Sequence, residues 1–256
     1  MTAAPLAGKT ILISGGSRGI GLAIALRAAA DGANIALIAK TDTPHPKLEG
    51  TVHSAAEQIR AAGGNALPIV GDVRNDDDTT EAVLKTEGEF GGIDIVINNA
   101  SVIDLSGSLD LAAKKYDLMQ DVNTRGTFML SRAAVPVLKD SSNPHILSLS
   151  PPLNLSPRWL GGHTGYTLAK YGTTTATLGL AAELAKDGIA AEVIFPDGIT
   201  EKNTPLFGAG LGLSPRDMVP ELQWAGAMAH NRWLAEWCAN DPARHIGVAS
   251  IPLLWD

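Results

Sequence analysis

The sequence contains a single cysteine, Cys238, among 256 residues. One thiol cannot close an intrachain disulfide, and it cannot supply the ligands of a zinc finger or of a CxxC redox motif. Secreted domains commonly depend on disulfides, so the near absence of cysteine favours a reducing, cytoplasmic setting. We therefore expect a cytoplasmic protein without a metal site.

Positive charge and long apolar runs are also scarce. Lys and Arg number 20 against 27 Asp and Glu, which gives a formal net charge of -7. An acidic chain repels nucleic acid and anionic lipid on average. No apolar run approaches the roughly 18 residues that mark a membrane span, and the first residues lack the regions of a signal peptide. We expect neither nucleic-acid binding nor a membrane span.

Short apolar runs alternate with longer helical patterns, which predicts parallel βαβ units. The runs are apolar throughout, as in a sheet that is buried on both faces. We predict one α/β domain over residues 1–256, a Rossmann-type doubly wound parallel sheet of about seven strands with helices on both faces. The predicted strands are Thr10–Ser14, Asn34–Ala39, Ala66–Val70, Asp94–Ile97, His145–Leu149, Ala190–Phe195 and Ile246–Ile251. The predicted helices are Gly21–Asp31, Thr51–Ala62, Asp77–Phe90, Lys115–Lys139 and Tyr166–Asp187.

A glycine-rich segment follows the first predicted strand and opens the first helix. Glycine lets the backbone approach a pyrophosphate, and the helix N-terminus then faces the anion. The spacing is GxxxGxG rather than GxGxxG, so the weight of the signal comes from its place in the first βαβ unit. The residues predicted to bind a dinucleotide here are Gly15, Ser17, Arg18, Gly19, Ile20 and Gly21.

The end of the second strand bears on the choice between two dinucleotides. An acidic residue about 20 positions beyond the glycine loop normally accepts the ribose 2′-OH of NAD, whereas a cation suits the 2′-phosphate of NADP. Here the strand is followed by Lys40, and Arg18 is a second cation. Asp42 is close enough in sequence to take the acidic role, so NAD(H) is the alternative. We expect NADP(H).

Polar residues follow the third and fourth strands. Ligands of such sheets contact the carboxyl ends of the strands. Asp72 can accept a hydrogen bond from an adenine amino group, or it can serve as a helix N-cap. We predict that Asp72 and Val73, together with Asn99 and Ala100, line the cofactor crevice.

Tyr166 and Lys170 are four residues apart on a predicted helix, so both side chains project from one face. A free tyrosine, with a pKa of about 10, is a poor acid or base at neutral pH. A nearby ammonium favours the phenolate and lowers that pKa. The same ammonium can hydrogen-bond a ribose hydroxyl of the cofactor. An exposed helical pair without function is the alternative explanation.

Several of these motifs together resemble the classical short-chain dehydrogenases/reductases: SGGSRGIG, GDVR, NNAS, the run from Asp121 to Thr124, and YTLAK. The runs AKTDTPHPKLEGT, VNTRGTF and SLSPPLNLSP resemble the hydroxysteroid dehydrogenase-like subgroup, here without a sterol-carrier domain. The resemblance implies that Tyr166 is the catalytic acid/base and Lys170 its partner. It also implies that Asn123 anchors a water in the proton relay, and that the protein is a homo-oligomer, a tetramer or dimer.

The sequence departs from the family pattern at two places. The serine that usually steadies the substrate carbonyl is displaced, because Pro151 and Pro152 follow the fifth strand. We assign that role to Ser150, with Asn154 or Ser156 as other candidate donors. The second departure is Phe195-Pro196-Asp197-Gly198, where the family has Pro-Gly directly after the sixth strand. Pro196 is the residue predicted to contact the cofactor there.

These features predict an NADP(H)-preferring oxidoreductase that moves a hydride between nicotinamide and a carbonyl or secondary alcohol. The region Ile199–Cys238, which by resemblance covers the substrate, is rich in Trp and Met and suits an apolar lipid, steroid-like or terpenoid substrate. A non-catalytic dinucleotide-binding sensor or scaffold is one alternative. A serine hydrolase acting through Ser17, within Gly15-x-Ser17-x-Gly19, is another.

Overall fold

The computed structural model describes residues 4–44, 50–151 and 153–194. All the described elements belong to one unit of the chain, residues 1–195. The strands are β1 (Thr10–Ser14), β2 (Asn34–Ala39), β3 (Asn65–Val70), β4 (Ile95–Asn98), β5 (His145–Leu149) and β6 (Ala190–Ile194). The helices are α1 (Gly19–Ala30), α2 (Val52–Ala61), α3 (Asp76–Phe90), α4 (Ala113–Met119), α5 (Gly126–Leu138), α6 (Pro157–Leu160) and α7 (Thr164–Leu184).

The six strands form one parallel sheet in the order β3-β2-β1-β4-β5-β6. The predicted doubly wound parallel fold is confirmed. The predicted seventh strand, Ile246–Ile251, lies outside the described residues. The strand order reverses between β1 and β4, and in this class of sheet the ligand crevice lies at the carboxyl ends of the strands on either side of that reversal.

The core has two parts, one on each face of the sheet. Successive residues of a strand point to opposite faces. In β1, Leu12 joins the cluster that includes Leu130 of α5 and Leu180 of α7. Its neighbours Ile11 and Ile13 join the cluster that contains residues of α1 and α2. Both faces of the sheet are therefore buried, which explains why the strand sequences are apolar without alternation.

The region predicted as a single helix, Lys115–Lys139, is divided into three parts. Between α4 and α5, residues Gln120–Arg125 form a π-helical segment. Such segments insert extra backbone into a helix and occur frequently at functional sites. Asn123 lies in this segment, so the irregular turn directs its side chain.

Helix α7 packs closely against the π-helical segment. Thr124 Oγ1 donates a 2.9 Å hydrogen bond to the backbone carbonyl of Ala169. At the same contact, a Cβ atom on Gly172 would lie 2.5 Å from Thr124 Oγ1. Glycine at position 172 therefore permits the helices to approach, and this contact fixes the depth of α7 against the sheet.

The sequence did not predict α6, and a 3-10 turn, Ala185–Asp187, follows α7. Within the described ranges, no helix combines the length and apolar character that crossing a membrane requires. In the same part of the chain, no group of three or more His, Cys, Asp and Glu side chains is arranged to hold a metal ion.

Candidate active site

The glycine loop between β1 and α1 packs directly against the end of β4. Gly15 has a φ of +70°, and a Cβ atom there would lie 2.8 Å from the Cα of Ala100. A Cβ atom on Gly21 would lie 2.5 Å from Asn99 Nδ2. At both positions a side chain would collide with neighbouring atoms, and at Gly15 the left-handed backbone also favours glycine. The loop conformation therefore depends on these two glycines.

The N-terminus of α1 suits an anionic ligand. No side chain caps this end of the helix, and its first turn contains no acidic residue. Gly19 has a φ of +56° and open space around the position of a Cβ atom, and Ile20 is exposed. Ser17 is buried, with 5% exposure. Uncapped N–H groups at a helix N-terminus, approached through a glycine loop, match the requirements of a pyrophosphate.

Ser14 holds the ends of β1 and β4 together. Its hydroxyl accepts hydrogen bonds of 3.1 Å from the backbone N–H groups of both Asn99 and Ala100. The Asn99 amide donates to the carbonyls of Ser14 and Gly15, each at 3.0 Å. Asn99 and Ala100, predicted as one wall of the crevice, thus also fix the glycine loop. This role of Ser14 was not predicted from the sequence, although a hydroxyl at the end of a buried strand was a usable signal.

Asp72, after β3, holds two cations. Lys40 Nζ lies 3.0 Å from Asp72 Oδ2, and Arg74 donates to both carboxylate oxygens. Burial opposes ionisation of Asp72, but the hydrogen bonds from Arg74 and Lys40 outweigh it and hold its pKa well below the usual range. The N-cap of α3 is Asn75, so Asp72 does not serve as that cap.

Three further residues that the sequence suggests for cofactor binding lie near the ends of β2 and β3. Arg18 donates to Thr41 Oγ1 at 3.0 Å and to the carbonyl of Gly50 at 2.9 Å. Asp42, the acidic alternative, is paired with His53 at 2.7 Å. Val73 is buried against α5. The crevice edge thus contains Arg18 and Lys40, while the nearby carboxylate of Asp42 has a partner on α2.

Tyr166 and Lys170 occupy one side of α7. Lys170 is buried, and its ammonium donates a 2.5 Å hydrogen bond to the backbone carbonyl of Leu149. Burial lowers the pKa of Lys170 to about 8. Tyr166 is half-buried, and burial raises its pKa, while the neighbouring Ser101 side chain acts in the opposite direction. The Lys170 ammonium is directed to Leu149 in this arrangement, and the expected lowering of the Tyr166 pKa by Lys170 stays a prediction.

Asn123 uses its whole amide group on the segment after β4. Its Oδ1 accepts from the Val102 N–H at 2.8 Å, and its Nδ2 donates to the Val102 carbonyl at 2.9 Å. The backbone carbonyl of Asn123 accepts from Thr173 Oγ1 at 2.7 Å. The side chain thus fixes Val102, and the water-anchoring role of Asn123 stays a prediction.

Ser150 directs its hydroxyl toward α7. It is 2% exposed, donates to the backbone carbonyl of Lys170 at 2.7 Å and accepts from Thr174 Oγ1 at 2.9 Å. Asn154 Oδ1 accepts from the Ser156 N–H at 3.0 Å. In this arrangement the Ser150 hydroxyl joins β5 to α7, and its predicted contact with a substrate stays a prediction. Pro196 lies outside the described residues.

The arrangement combines a dinucleotide-type glycine loop with a Tyr/Lys pair, and comparison with known proteins agrees with this class. The model of the short chain dehydrogenase family matches residues 9–207. The chain therefore belongs to the short-chain dehydrogenase/reductase family, whose members are oxidoreductases.

More narrowly, the chain is similar to hydroxysteroid dehydrogenase-like protein 2 of Bos taurus, with 55% identity over 191 residues. That match covers 75% of this chain and 46% of the relative, so the chain spans about half the length of such curated relatives. Both the predicted family and the predicted hydroxysteroid dehydrogenase-like subgroup are confirmed.

Two solved structures extend the comparison. A short chain dehydrogenase from Mycobacterium thermoresistibile is 46% identical with a TM-score of 0.75, covering 94% of this chain and 84% of that one. A metagenomic short-chain oxidoreductase in complex with NADP is 26% identical with a TM-score of 0.66, covering 76% of this chain and 85% of that one.

Proposed function

We propose that this protein is an NADP(H)-preferring oxidoreductase that moves a hydride between nicotinamide and a carbonyl or secondary alcohol. The observation that carries the proposal is the placement of Tyr166 and Lys170 on α7. Lys170 donates to the carbonyl of Leu149 at the carboxyl end of β5, and Tyr166 lies one helical turn earlier on the same side of α7. This is the edge of the sheet at which the glycine loop of β1 presents an uncapped helix N-terminus.

The chain's own residues supply the proton chemistry. A bound nicotinamide would supply or accept the hydride. During reduction, the carbonyl carbon gains the hydride, the C=O π electrons move onto oxygen, and that oxygen takes the phenolic proton of Tyr166. Lys170 then stabilises the phenolate. An ammonium has three donors, so Lys170 can keep its bond to Leu149 and still offer two N–H groups to the phenolate and a ribose hydroxyl.

The preference for NADP(H) rests on charge at the edge of the crevice. Two cations lie at the end of β2 and in the glycine loop, where a 2′-phosphate would lie. They are Lys40, which is exposed and paired with Asp72, and Arg18, which donates to Thr41 and Gly50. Asp42, which would favour NAD(H), is occupied by His53. The similar metagenomic oxidoreductase was solved with NADP. These observations support NADP(H) over NAD(H).

A titration of the purified protein with NADPH and with NADH tests this preference through the fluorescence of the bound nicotinamide. We expect Lys40→Ala to weaken NADPH binding about ten-fold, the effect of losing one charge-assisted hydrogen bond. Binding of NADH should be unchanged. Lys85→Ala, which removes an exposed lysine that is paired with Glu81 on α3, is the control. Equal affinity of the wild type for both dinucleotides would contradict the preference.

Turnover tests the reaction itself. A panel of apolar carbonyl compounds, including steroid-like, terpenoid and lipid ketones, is offered with NADPH, and absorbance at the nicotinamide band is followed. We expect oxidation of NADPH by the wild type and loss of it in Tyr166→Phe, which keeps the ring and removes the acid. The apolar substrate class is drawn from residues Ile199–Cys238, which lie outside the described residues.

A non-catalytic dinucleotide-binding protein is the second candidate, favoured by one observation. The Ser150 hydroxyl, expected to face a substrate, is committed to Lys170 and Thr174. NADPH binding without turnover of any alcohol or carbonyl would support this alternative. The hydrolase alternative is disfavoured because Ser17 is buried, and labelling of Ser17 by a covalent serine probe would revive it.

Four expectations about the wider context stay predictions: a homo-oligomer of two or four chains, a cytoplasmic location, no binding to nucleic acid, and a single domain over residues 1–256. Size-exclusion chromatography with light scattering would test the first of these.

A further inference from the structure

Thr174 directs its hydroxyl out of α7 and toward the end of β5. A threonine inside a helix commonly donates the hydrogen of its hydroxyl to the carbonyl four residues earlier. The next residue, Thr175, does so, at 2.9 Å from the carbonyl of Tyr171. For Thr174 the corresponding contact, to the carbonyl of Lys170, is 3.4 Å long. The shorter contacts of the Thr174 hydroxyl lie outside the helix.

These shorter contacts reach the segment that leaves β5. Thr174 Oγ1 lies 2.9 Å from both Ser150 Oγ and the carbonyl oxygen of Pro151. A hydroxyl has one hydrogen, so Thr174 donates to one of these acceptors at a time. Either bond joins α7 to the same segment. Thr174 and Ser150 are both buried, so the connection is shielded from water.

Lys170 is attached to this segment at both of its ends. Its ammonium donates to the carbonyl of Leu149 at 2.5 Å, and its backbone carbonyl accepts from the Ser150 hydroxyl at 2.7 Å. Ser150 is itself held by the sheet, because its N–H donates to the carbonyl of Ile194 in β6 at 3.0 Å. The sheet therefore provides a fixed base for Lys170. One turn further along α7, Thr174 adds a second connection to that base.

The position of Lys170 matters because its side chain is long and flexible. A lysine ammonium is carried on a four-carbon stem and loses conformational freedom when it is fixed in one place. In the proposed function, this ammonium stabilises the Tyr166 phenolate and contacts a ribose hydroxyl. A misplacement of about 1 Å in such a site can lower the rate on the order of 100-fold. Contacts that hold the backbone of Lys170 in place therefore bear on the rate.

We propose that Thr174 is a positioning residue for Lys170, and that the Ser150 hydroxyl acts together with it. The two hydroxyls hold the Lys170 turn of α7 against the end of β5, so that the ammonium stays at the crevice. The Ser150 hydroxyl thus serves Lys170 rather than a substrate oxygen. The inference rests on the proposed function for what Lys170 does, while the attachment of Lys170 to β5 is independent of any substrate.

Turnover by three variants of the full chain tests this role: Thr174→Val, Thr174→Ser and, as the matched control, Thr175→Val. Valine keeps the shape of threonine and removes the hydroxyl. With NADPH and a carbonyl substrate from the panel, we expect Thr174→Val to lower kcat on the order of 10-fold, with little change in KM for the carbonyl compound. Thr174→Ser should recover most of the rate. Thr175→Val, which removes bonds within the helix only, should retain the wild-type kcat.

Ser150→Ala removes the other hydroxyl of the connection and should give a comparable loss of kcat. Because the two hydroxyls act as one connection, the double variant Ser150→Ala/Thr174→Val should lose less than the product of the two single losses. Unfolding transitions of all variants are recorded to establish that each is folded. Ser150→Ala takes the place of Thr174→Val if the valine variant does not fold.

A titration of Lys170 gives a readout without cofactor or substrate. Lysines that are isotopically labelled at Cε are followed by NMR against pH, and the resonance missing from Lys170→Met identifies Lys170. Burial lowers the pKa of Lys170 to about 8 in the wild type. The loosened turn of Thr174→Val should admit water and move this transition about one pH unit toward that of an ordinary lysine. Thr174→Ser should return it, and Thr175→Val should leave it unchanged.

Three results would overturn the assignment. The first is a wild-type kcat in Thr174→Val. The second is an equal loss of kcat in Thr174→Val and Thr175→Val, which would indicate a general effect on α7. The third is a Lys170 transition that does not move in Thr174→Val. Absence of turnover in the wild type is a different outcome: it overturns the proposed function, and the Lys170 transition then decides by itself whether Thr174 positions Lys170.

Discussion

The ammonium of Lys170 donates a 2.5 Å hydrogen bond to the backbone carbonyl of Leu149, the last residue of β5. One turn of α7 is thereby attached to the end of a central strand. The return contact comes from Ser150, which donates to the carbonyl of Lys170. Lys170 is only 9% exposed, and this burial disfavours the charged form of its side chain. The site therefore holds a lysine that can lose its proton near physiological pH.

The stability of the protein should depend on this proton. The pKa of Lys170 is about 8 in the folded protein against 10.5 for an ordinary lysine. Between pH 8 and 10.5 the unfolded chain holds more protons at this position, so the free energy of unfolding rises with pH in that window. Below pH 8 the penalty for the buried charge is complete and constant.

Chemical denaturation of the wild type and of Lys170→Met at several pH values measures this effect. The unfolding free energy of the wild type minus that of Lys170→Met should increase by about 1 to 3 kcal/mol between pH 7.5 and 10. Lys85→Met, at an exposed position, should follow the wild-type curve. Parallel pH curves for the wild type and Lys170→Met would show that Lys170 keeps an ordinary affinity for its proton.

Replacing two glycines of α7 by alanine should change the stability of the protein in opposite directions. A Cβ atom on Gly172 would meet Thr124, 2.5 Å from Oγ1 and 2.7 Å from Cγ2. Gly172→Ala should therefore destabilise the protein by about 1 to 3 kcal/mol through overpacking. At Gly179 nothing lies within 4 Å of the Cβ position, so Gly179→Ala should stabilise it by about 0.5 to 1 kcal/mol.

Thermal or urea unfolding of both variants provides the measurement. Thr124→Ala in the Gly172→Ala background should restore part of the loss, because it removes the atoms that the new methyl group meets. Equal changes in unfolding free energy for the two variants would mean that α7 does not pack against the π-helical segment as closely as the structure indicates.

The Asn123 side chain should support both stability and rate. Asn123→Ala removes two hydrogen bonds from Val102 and leaves its backbone groups without those partners, which should cost about 1 to 3 kcal/mol. It should also loosen the segment after β4 that borders the crevice, so kcat should fall more than the affinity for NADPH. Asn65→Ala, at an exposed asparagine bonded only to Asn34 among the described contacts, should change neither quantity appreciably. A normal kcat in Asn123→Ala would contradict a positioning role.

The fold was largely predictable because its signals are local. The apolar runs of β1, β2 and β5 were bounded correctly, since each is followed by a glycine or a polar residue: Gly15, Lys40 and Ser150. The break in Lys115–Lys139 was not predictable from periodicity, because a π-helical segment shifts the pattern by one residue and is held by tertiary contacts of Asn123 and Thr124. The short helix α6 gives no periodic signal over four residues.

The parts of the site that depend on the spacing of residues along a helix were predictable from the sequence. The direction in which individual side chains point was less predictable. Four-residue spacing was sufficient to place Tyr166 and Lys170 on one side of a helix. Sequence could not reveal that the Lys170 ammonium faces Leu149, or that the Ser150 hydroxyl faces α7, because both directions depend on partners about 20 residues away.

The most direct test of the proposed chemistry is the transfer of deuterium from NADPH labelled at the hydride position of the nicotinamide. The product alcohol of a reduced ketone is analysed by mass spectrometry after single-turnover reactions of the wild type and of Tyr166→Phe. We expect one deuterium on the former carbonyl carbon with the wild type and none above background with Tyr166→Phe. Tight NADPH binding without deuterium transfer to any ketone, or equal transfer by both proteins, would contradict it.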